Sequence, residues 1–454
     1  MEMEDKIERR QTENKLGTMP VGKLLAVMSL PTMFSMLIQA LYNIVDSIFV
    51  SHFSEKALTA VSIAFPLQTL MFSFGVGTSV GVCSVISRRL GEGRPEEARK
   101  AAQTGYTLAL ILMCTFMLIG AFLSRPFLSI YTDDPELLQM ATTYARICLI
   151  LSVGTFVNIY CEKALQATGD TIHPMIIQAS GAIFNVIFDP ILIFGYLGFP
   201  AMGVTGAAIA TVAGQIFAMF IGIVFLRRNR NLEVKLFRPA LHGPSVKNIL
   251  EVGLPAVIMQ GIGTVMLSLM NAILITLDVL ATTVFGVYFK LQSFVFLPVF
   301  GLNSGLMPIL GYNYGAKNRP RMMKALKLGT IAAFLFMSFG TLVFNLFPDT
   351  LLGLFNASDS LRSMGELALR TISLSFPIAA ISITLVALFQ AMGDGYLSMI
   401  VSIVRQLFIL IPCAWLFARI AGLHAVWYSF LAAEVVAFIL SMLFFLKEKR
   451  KLDF

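Results

Sequence analysis

The sequence predicts an all-α integral membrane protein, with twelve transmembrane helices in two six-helix lobes related by a parallel internal repeat. Three observations carry that prediction. Hydrophobic residues make up 57% of the 454, and charged residues only 13%, about half the charged share of a soluble domain. The apolar runs are continuous over about twenty residues and do not alternate, as a spanning helix requires and a transmembrane barrel forbids. The chain also matches itself at a shift of 224 residues. Twelve spans of about 20 residues use nearly all the apolar residues. That excludes a soluble enzyme tethered by one anchor, because no polar stretch is left for it.

Breaks in the apolar runs place the spans at 24–50, 57–86, 101–124, 137–161, 171–195, 203–226, 249–277, 281–313, 325–347, 362–388, 396–418 and 424–446. Several exceed 25 residues, so tilt or kinking is expected. Pro31, Pro66, Pro190, Pro255, Pro298, Pro377 and Pro412 lie inside spans and are the candidate kink sites. The resulting organisation is an N-terminal tail (1–22), a first lobe (23–226), a linker (227–248), a second lobe (249–446) and a C-terminal tail (447–454). The first 22 residues hold five acids, too charged for a secretory signal.

Net charge is +8. In a soluble protein this would point to nucleic acid; here the bases first report topology. With the N-terminus inside, inner segments hold 26 of the 34 Lys and Arg, and outer loops hold four: Lys56, Arg125, Arg362 and Arg419. Both termini are therefore expected in the cytoplasm, and no nucleic-acid partner is needed to explain the charge. The five cysteines have no metal-site spacing and are odd in number, which disfavours a disulfide framework.

The repeat is read residue by residue. Ser29-Leu30-Pro31 meets Gly253-Leu254-Pro255, and Leu67-Gln68-Thr69 meets Leu291-Gln292-Ser293. Arg146 meets Arg370, Gln166-Ala167-x-Gly169-Asp170 meets Gln390-Ala391-x-Gly393-Asp394, and Gly198 meets Gly422. Six spans per copy give both copies the same orientation, so the pseudo-two-fold axis runs along the membrane normal. Parallel repeats of this type build carriers that work by alternating access around a midplane site.

An ionisable group at bilayer depth costs roughly 2.5–3.5 kcal/mol on insertion scales, so each needs a reason. Gln39, Tyr42, Asn43 and Asp46 share one face of span 1 at spacings of 3, 4 and 7. In span 5, Asn185 and Asp189 are one turn apart, and Pro190 frees a backbone carbonyl. The repeat mates of Asp46 and Asp189 are Met270 and Cys413, so the second copy manages without these acids. That asymmetry points to a coupling-ion role: the carboxylates can exchange a proton between the two faces, or hold Na⁺ with Asn185 and nearby hydroxyls. The second half carries Lys290, Gln292, Arg405 and Glu434 instead. Glu434 is expected to pair with Lys290 or Arg405, as a lobe-stabilising ion pair or as part of a substrate site. Apart from Na⁺ at the two aspartates no metal is expected, and no cofactor. No Walker motif or catalytic triad is present.

Several of these pieces together resemble the multidrug and toxic compound extrusion (MATE) transporters, over essentially all of residues 20–446. They are Leu30-Pro31, Tyr42-Asn43-x-x-Asp46, Arg88 through Gly91-Glu92-Gly93, Gln166-Ala167-x-Gly169-Asp170, Asn185-x-x-x-Asp189-Pro190, Gly206 to Thr211, and Gly311-Tyr312-Asn313-Tyr314-Gly315-Ala316. The resemblance implies a V-shaped pair of lobes that export organic cations and drugs against entering H⁺ or Na⁺. In one branch the coupling site lies in the first lobe on two aspartates, which match Asp46 and Asp189, with Tyr42, Asn185 and Thr211 around them. Another branch uses acids on spans 7 and 10; here Glu251, Asp278 and Glu366 fall only at span ends, so the resemblance favours the first-lobe branch. Lys290 and Arg405 fit a purely cationic substrate range poorly. Compact loops and the resemblance place the chain in a bacterial cytoplasmic (inner) membrane; it is expected to be a monomer, with the bilayer and small amphipathic compounds as its partners. The competing readings are a lipid-linked sugar flippase of a related superfamily branch, and a receptor or scaffold without transport.

Overall fold

The computed structural model describes residues 14–229, 231–236, 238–355 and 358–449, and these are helical with no strand among them. Residues 1–13 of the N-terminal tail and 450–454 of the C-terminal tail lie outside the described residues. A one-turn helix α1 (Lys15–Thr18) starts at Asn14, whose side chain accepts from the Leu16 amide. Then follow α2 (Val21–Phe53), α3 (Glu55–Gly91), α4 (Pro95–Leu118), α5 (Ser124–Leu128), α6 (Pro135–Ile150), α7 (Val153–Ala167), α8 (Ile172–Phe194) and α9 (Val204–Arg228). The second copy runs α10 (Gly243–Ile275), α11 (Val279–Gly315), α12 (Arg319–Leu346), α13 (Pro348–Gly353), α14 (Asp359–Ser373), α15 (Phe376–Met392), α16 (Gly395–Ile403), α17 (Ile411–Ala421), α18 (Leu423–Val426) and α19 (Tyr428–Lys449).

Ten helical stretches are long and apolar enough to cross a membrane. There are twelve if the bent pairs α6–α7 and α14–α15 each count as one span. The duplication read from sequence recurs as geometry. Both bent pairs turn by 47°, and α2 and α10 are each 33 residues, α3 and α11 each 37. Gly169 and Gly393 both leave their helices at φ near +95°, a left-handed conformation that glycine adopts without steric cost. Pro377 opens α15 at the second bend, but the first bend, at Leu151 and Ser152, contains no proline. Packing and not a missing amide hydrogen bond therefore sets it. Pro31, Pro66, Pro190, Pro255 and Pro298 lie inside helices that run on through them.

The chain divides into two compact units, one of residues 34–257 and one of 1–33 with 258–454. The limits fall inside α2 and α10, after Met33 and Val257, whereas the lobes drawn along the sequence begin at 23 and 249, nearer the starts of the same two helices. In the first unit, small residues such as Ala60, Ala64, Ala101, Ala207 and Ala208 are fully buried with Tyr160 and Phe156, which lets helix backbones approach closely. One close approach is α8 on α9. A Cβ at Gly206 would lie 2.4 Å from the Leu192 carbonyl oxygen, and one at Gly214 would lie 2.8 Å from that of Gly181. The first stretch of α10 packs on α3, where a Cβ at Gly81 would meet the Ile249 carbonyl at 2.2 Å. The linker is held as well: Gln103 donates to the Lys235 and Arg238 carbonyls at 3.0 Å, and Thr107 to Ala240 at 3.1 Å.

In the second unit, the start of α2 docks on α11. Thr32 donates to the Gly301 carbonyl at 2.7 Å and Ser29 to that of Leu302 at 3.3 Å. A Cβ at Gly305 would meet the Met28 carbonyl at 2.7 Å. Arg321 and Asn313 donate to the Leu16 carbonyl, each at 3.2 Å, and Arg321 also reaches Met19. These bonds satisfy carbonyls at the end of α1 that have no helical partner.

Candidate functional site

The polar residues of the first unit gather where α2, α8 and α9 meet. Asp189 is fully buried, Asn185 is 2% exposed and Thr211 6%. The Asn185 amide nitrogen donates to an Asp189 carboxylate oxygen at 3.2 Å and lies 3.4 Å from the Thr211 hydroxyl. The one-turn spacing of Asn185 and Asp189 places both on the α8 face toward α9, and the Gly181–Gly214 approach sets the distance to Thr211. Tyr42, from α2, lies beside the Thr211 side chain. One turn further on, the Asp46 carboxyl lies within hydrogen-bonding reach of that of Asp189.

All five residues proposed for ion coupling thus share one cluster. Of the other span-1 residues, Gln39 accepts from Gln178 of α8 at 3.1 Å, while Asn43 is exposed and has no side-chain bond to the cluster. Composition alone did not single out four further groups. Gln68 of α3 donates toward the Tyr144 hydroxyl at 3.3 Å and the Cys148 thiol at 3.5 Å, and Tyr144 feels the charge of Asp46. Gln178 is the fourth. Only Gln68 had a sequence signal, as a polar residue repeated at Gln292.

The chemistry follows from what remains unpaired. One oxygen each of Asp46, Asp189 and Asn185 is buried without a hydrogen-bond donor. Ionised carboxylates and an amide oxygen are acceptors only. Two carboxylates facing each other in this way leave room for a proton shared between them or for a small hard cation bound by oxygens. Asn185, Thr211 and Tyr42 add oxygens around the pair. No group of three or more His, Cys, Asp or Glu fit to hold a metal exists among the described residues.

In the second unit Glu434 pairs with Arg405 at 3.2 Å and not with Lys290. Its other carboxylate oxygen is buried without a donor, near the Tyr288 hydroxyl. Arg405 sits in a π-helical segment, Val404–Leu410, between α16 and α17, a widened turn frequent at functional sites. Lys290 is exposed and makes no ion pair among the described residues; Gln292, about 200° further around α11, is half-buried.

A family model described as MatE matches residues 31–191 and again 255–416, the spacing of the internal repeat. The chain is 26% identical to a FAD transporter of Shewanella oneidensis, covering 89% of each chain. It is also 26% identical to the probable multidrug resistance protein NorM of Thermotoga maritima, covering 94% of this chain and 93% of that one. Among solved structures it superposes, with a TM-score of 0.90 and 26% identity over 97% of this chain and 98% of the other, on a MOP superfamily transporter from Pyrococcus furiosus. That structure is described as having a binding pocket of reversed polarity that suggests a different function.

Proposed function

This chain belongs to the MatE family of membrane transporters, is accordingly no enzyme, and from that premise we propose that it is a secondary active exporter of amphipathic organic compounds. H⁺ or Na⁺ entering the cell drives it through Asp46 and Asp189, by alternating access. The name of the Thermotoga maritima relative supports the substrate class. The observation that carries the coupling is the meeting of the two carboxyls with undonated, buried oxygens on Asp46, Asp189 and Asn185. A proton or Na⁺ placed there removes or balances negative charge, so α2, α8 and α9 repack. The two lobes of the duplication alternate which side of the membrane the substrate face meets. The coupling is reciprocal, because each ligand biases the same two-state element. The uneven distribution of Lys and Arg supports cytoplasmic termini, in the inner membrane of a bacterium. The chain acts as a monomer.

The test uses the purified chain in liposomes, with ethidium as probe and either a pH or a sodium gradient imposed. The wild type moves ethidium under at least one gradient, and Asp46→Asn and Asp189→Asn do not. Gradient-driven transport that survives in both variants would overturn the coupling site.

A further inference from the structure

The exposed surface of α10, from residue 258 on, divides into two stripes. Ile258, Val265 and Leu269 form an apolar one; Gln260, Thr264, Ser268 and Asn271 form a polar one, one residue out of step. One residue is 100° around a helix, so the two stripes look in different directions. The apolar stripe suits acyl chains. The Ser268 hydroxyl is satisfied by the Thr264 carbonyl at 3.1 Å, but hydrocarbon supplies no hydrogen-bond partner for the two amides, Gln260 and Asn271. The polar stripe therefore faces water.

At its Asn271 end this stripe shares an open depression of about 480 Å³ with Thr282 and Thr283 of α11. Thr283, Gly286 and Lys290 are spaced by three and four residues, so they share one face of α11, and all three are exposed. A Cβ at Gly286 would meet nothing within 4 Å, so that face opens onto free space. Lys290 lies two turns from Thr283, as Thr264 does from Asn271, about 10 Å along each axis. Both hydrophilic faces thus start at the same depression. The acid of this unit at span depth, Glu434, is occupied by Arg405. Lys290 is left as a cation without a protein counter-charge among the described residues.

We propose that this face binds the anionic group of an amphipathic organic substrate, with the Lys290 ammonium taking its carboxylate, sulfonate or phosphate. Gln260, Thr264 and Ser268 offer hydrogen bonds to its polar atoms, and Phe294, one turn beyond Lys290, covers its apolar body. This rests on the exporter reading and narrows its substrate class from amphipathic organic compounds in general to those that carry negative charge.

Flavin mononucleotide and riboflavin are a matched fluorescent pair that differ by one phosphate. In liposomes holding the full chain, the wild type moves flavin mononucleotide faster than riboflavin. The ratio of flavin mononucleotide to ethidium transport falls about tenfold in Lys290→Ala, as expected for loss of a charge-assisted contact. It falls further in Lys290→Glu and is kept in Lys290→Arg. A wild type that moves ethidium but shows no preference for the phosphate overturns the anion site alone, and that arm needs no variant. An unchanged ratio in Lys290→Ala also overturns it. A wild type that moves none of the three probes overturns the exporter reading as well.

Discussion

At Asp46 and Asp189 the chemistry depends on acceptors outnumbering donors. Asn185 supplies a donor to Asp189 and lies close to Thr211, and Tyr42 sits beside Thr211. Thr211→Val keeps the volume but removes the hydroxyl within reach of the Asn185 amide. A hydrogen bond of this kind contributes about 0.5–1.5 kcal/mol, so the coupling ion should bind up to about tenfold more weakly, with expression preserved. Titrating transport against external sodium and pH measures this. The Arg405–Glu434 pair gives a second expectation at this scale. Breaking one buried partner of an ion pair costs about 3–5 kcal/mol, discounted here because the side chains are 22% and 13% exposed. Glu434→Lys should therefore lose folded protein, and Arg405→Glu combined with Glu434→Arg should recover it. A matching swap with Lys290 should not. The yield of monodisperse protein after detergent extraction reads each case.

Helix contacts decide whether those residues meet at all. Gly214 lets α9 approach α8 closely enough for the Asn185 amide to lie within reach of the Thr211 hydroxyl. A Cβ there would sit 2.8 Å from the Gly181 carbonyl oxygen, so Gly214→Leu should separate the helices. Overpacking of this sort costs about 1–3 kcal/mol. Gradient-driven ethidium transport should fall and the melting temperature in detergent should drop. The turn after α11 offers the opposite case. Lys317 adopts φ +53°, where its repeat mate is Gly93 at φ +71°. A left-handed conformation costs a side-chain-bearing residue roughly 1–2 kcal/mol, partly offset by the chain entropy glycine loses on folding. Lys317→Gly should raise the melting temperature slightly without changing transport.

Across the whole molecule the two copies share helix lengths, bends and glycine turns but not chemistry. The repeat mates of Tyr42, Asp46, Asn185, Asp189 and Thr211 are Met266, Met270, Ile409, Cys413 and Val435. Moving the aspartates across should therefore fail. Met270→Asp with Cys413→Asp, placed in a chain carrying Asp46→Asn and Asp189→Asn, should restore no coupling. It should also lower yield, because two acids among apolar side chains cost several kcal/mol. Recovery of transport would mean that the surrounding amide and hydroxyls are dispensable.

Hydropathy and the repeat made the helical membrane fold legible before any coordinates, because a spanning helix must be apolar over its whole length and duplication copies that pattern. The acids were legible for the same reason: a charge in an apolar run has no structural excuse. Sequence also placed Asn185 beside Asp189, since one helical turn is a local fact. It did not reveal the contact between Asp46 and Asp189, nor Gln68, Tyr144 and Cys148 behind them. Those depend on helices far apart in the chain packing through glycine and alanine. It left Glu434 with two candidate partners, and only the packing of the π-helical segment against α19 chose Arg405 and left Lys290 exposed. Periodicity fixes which residues share a face. Which faces meet is decided by the close approach of backbones, a property of the folded chain as a whole.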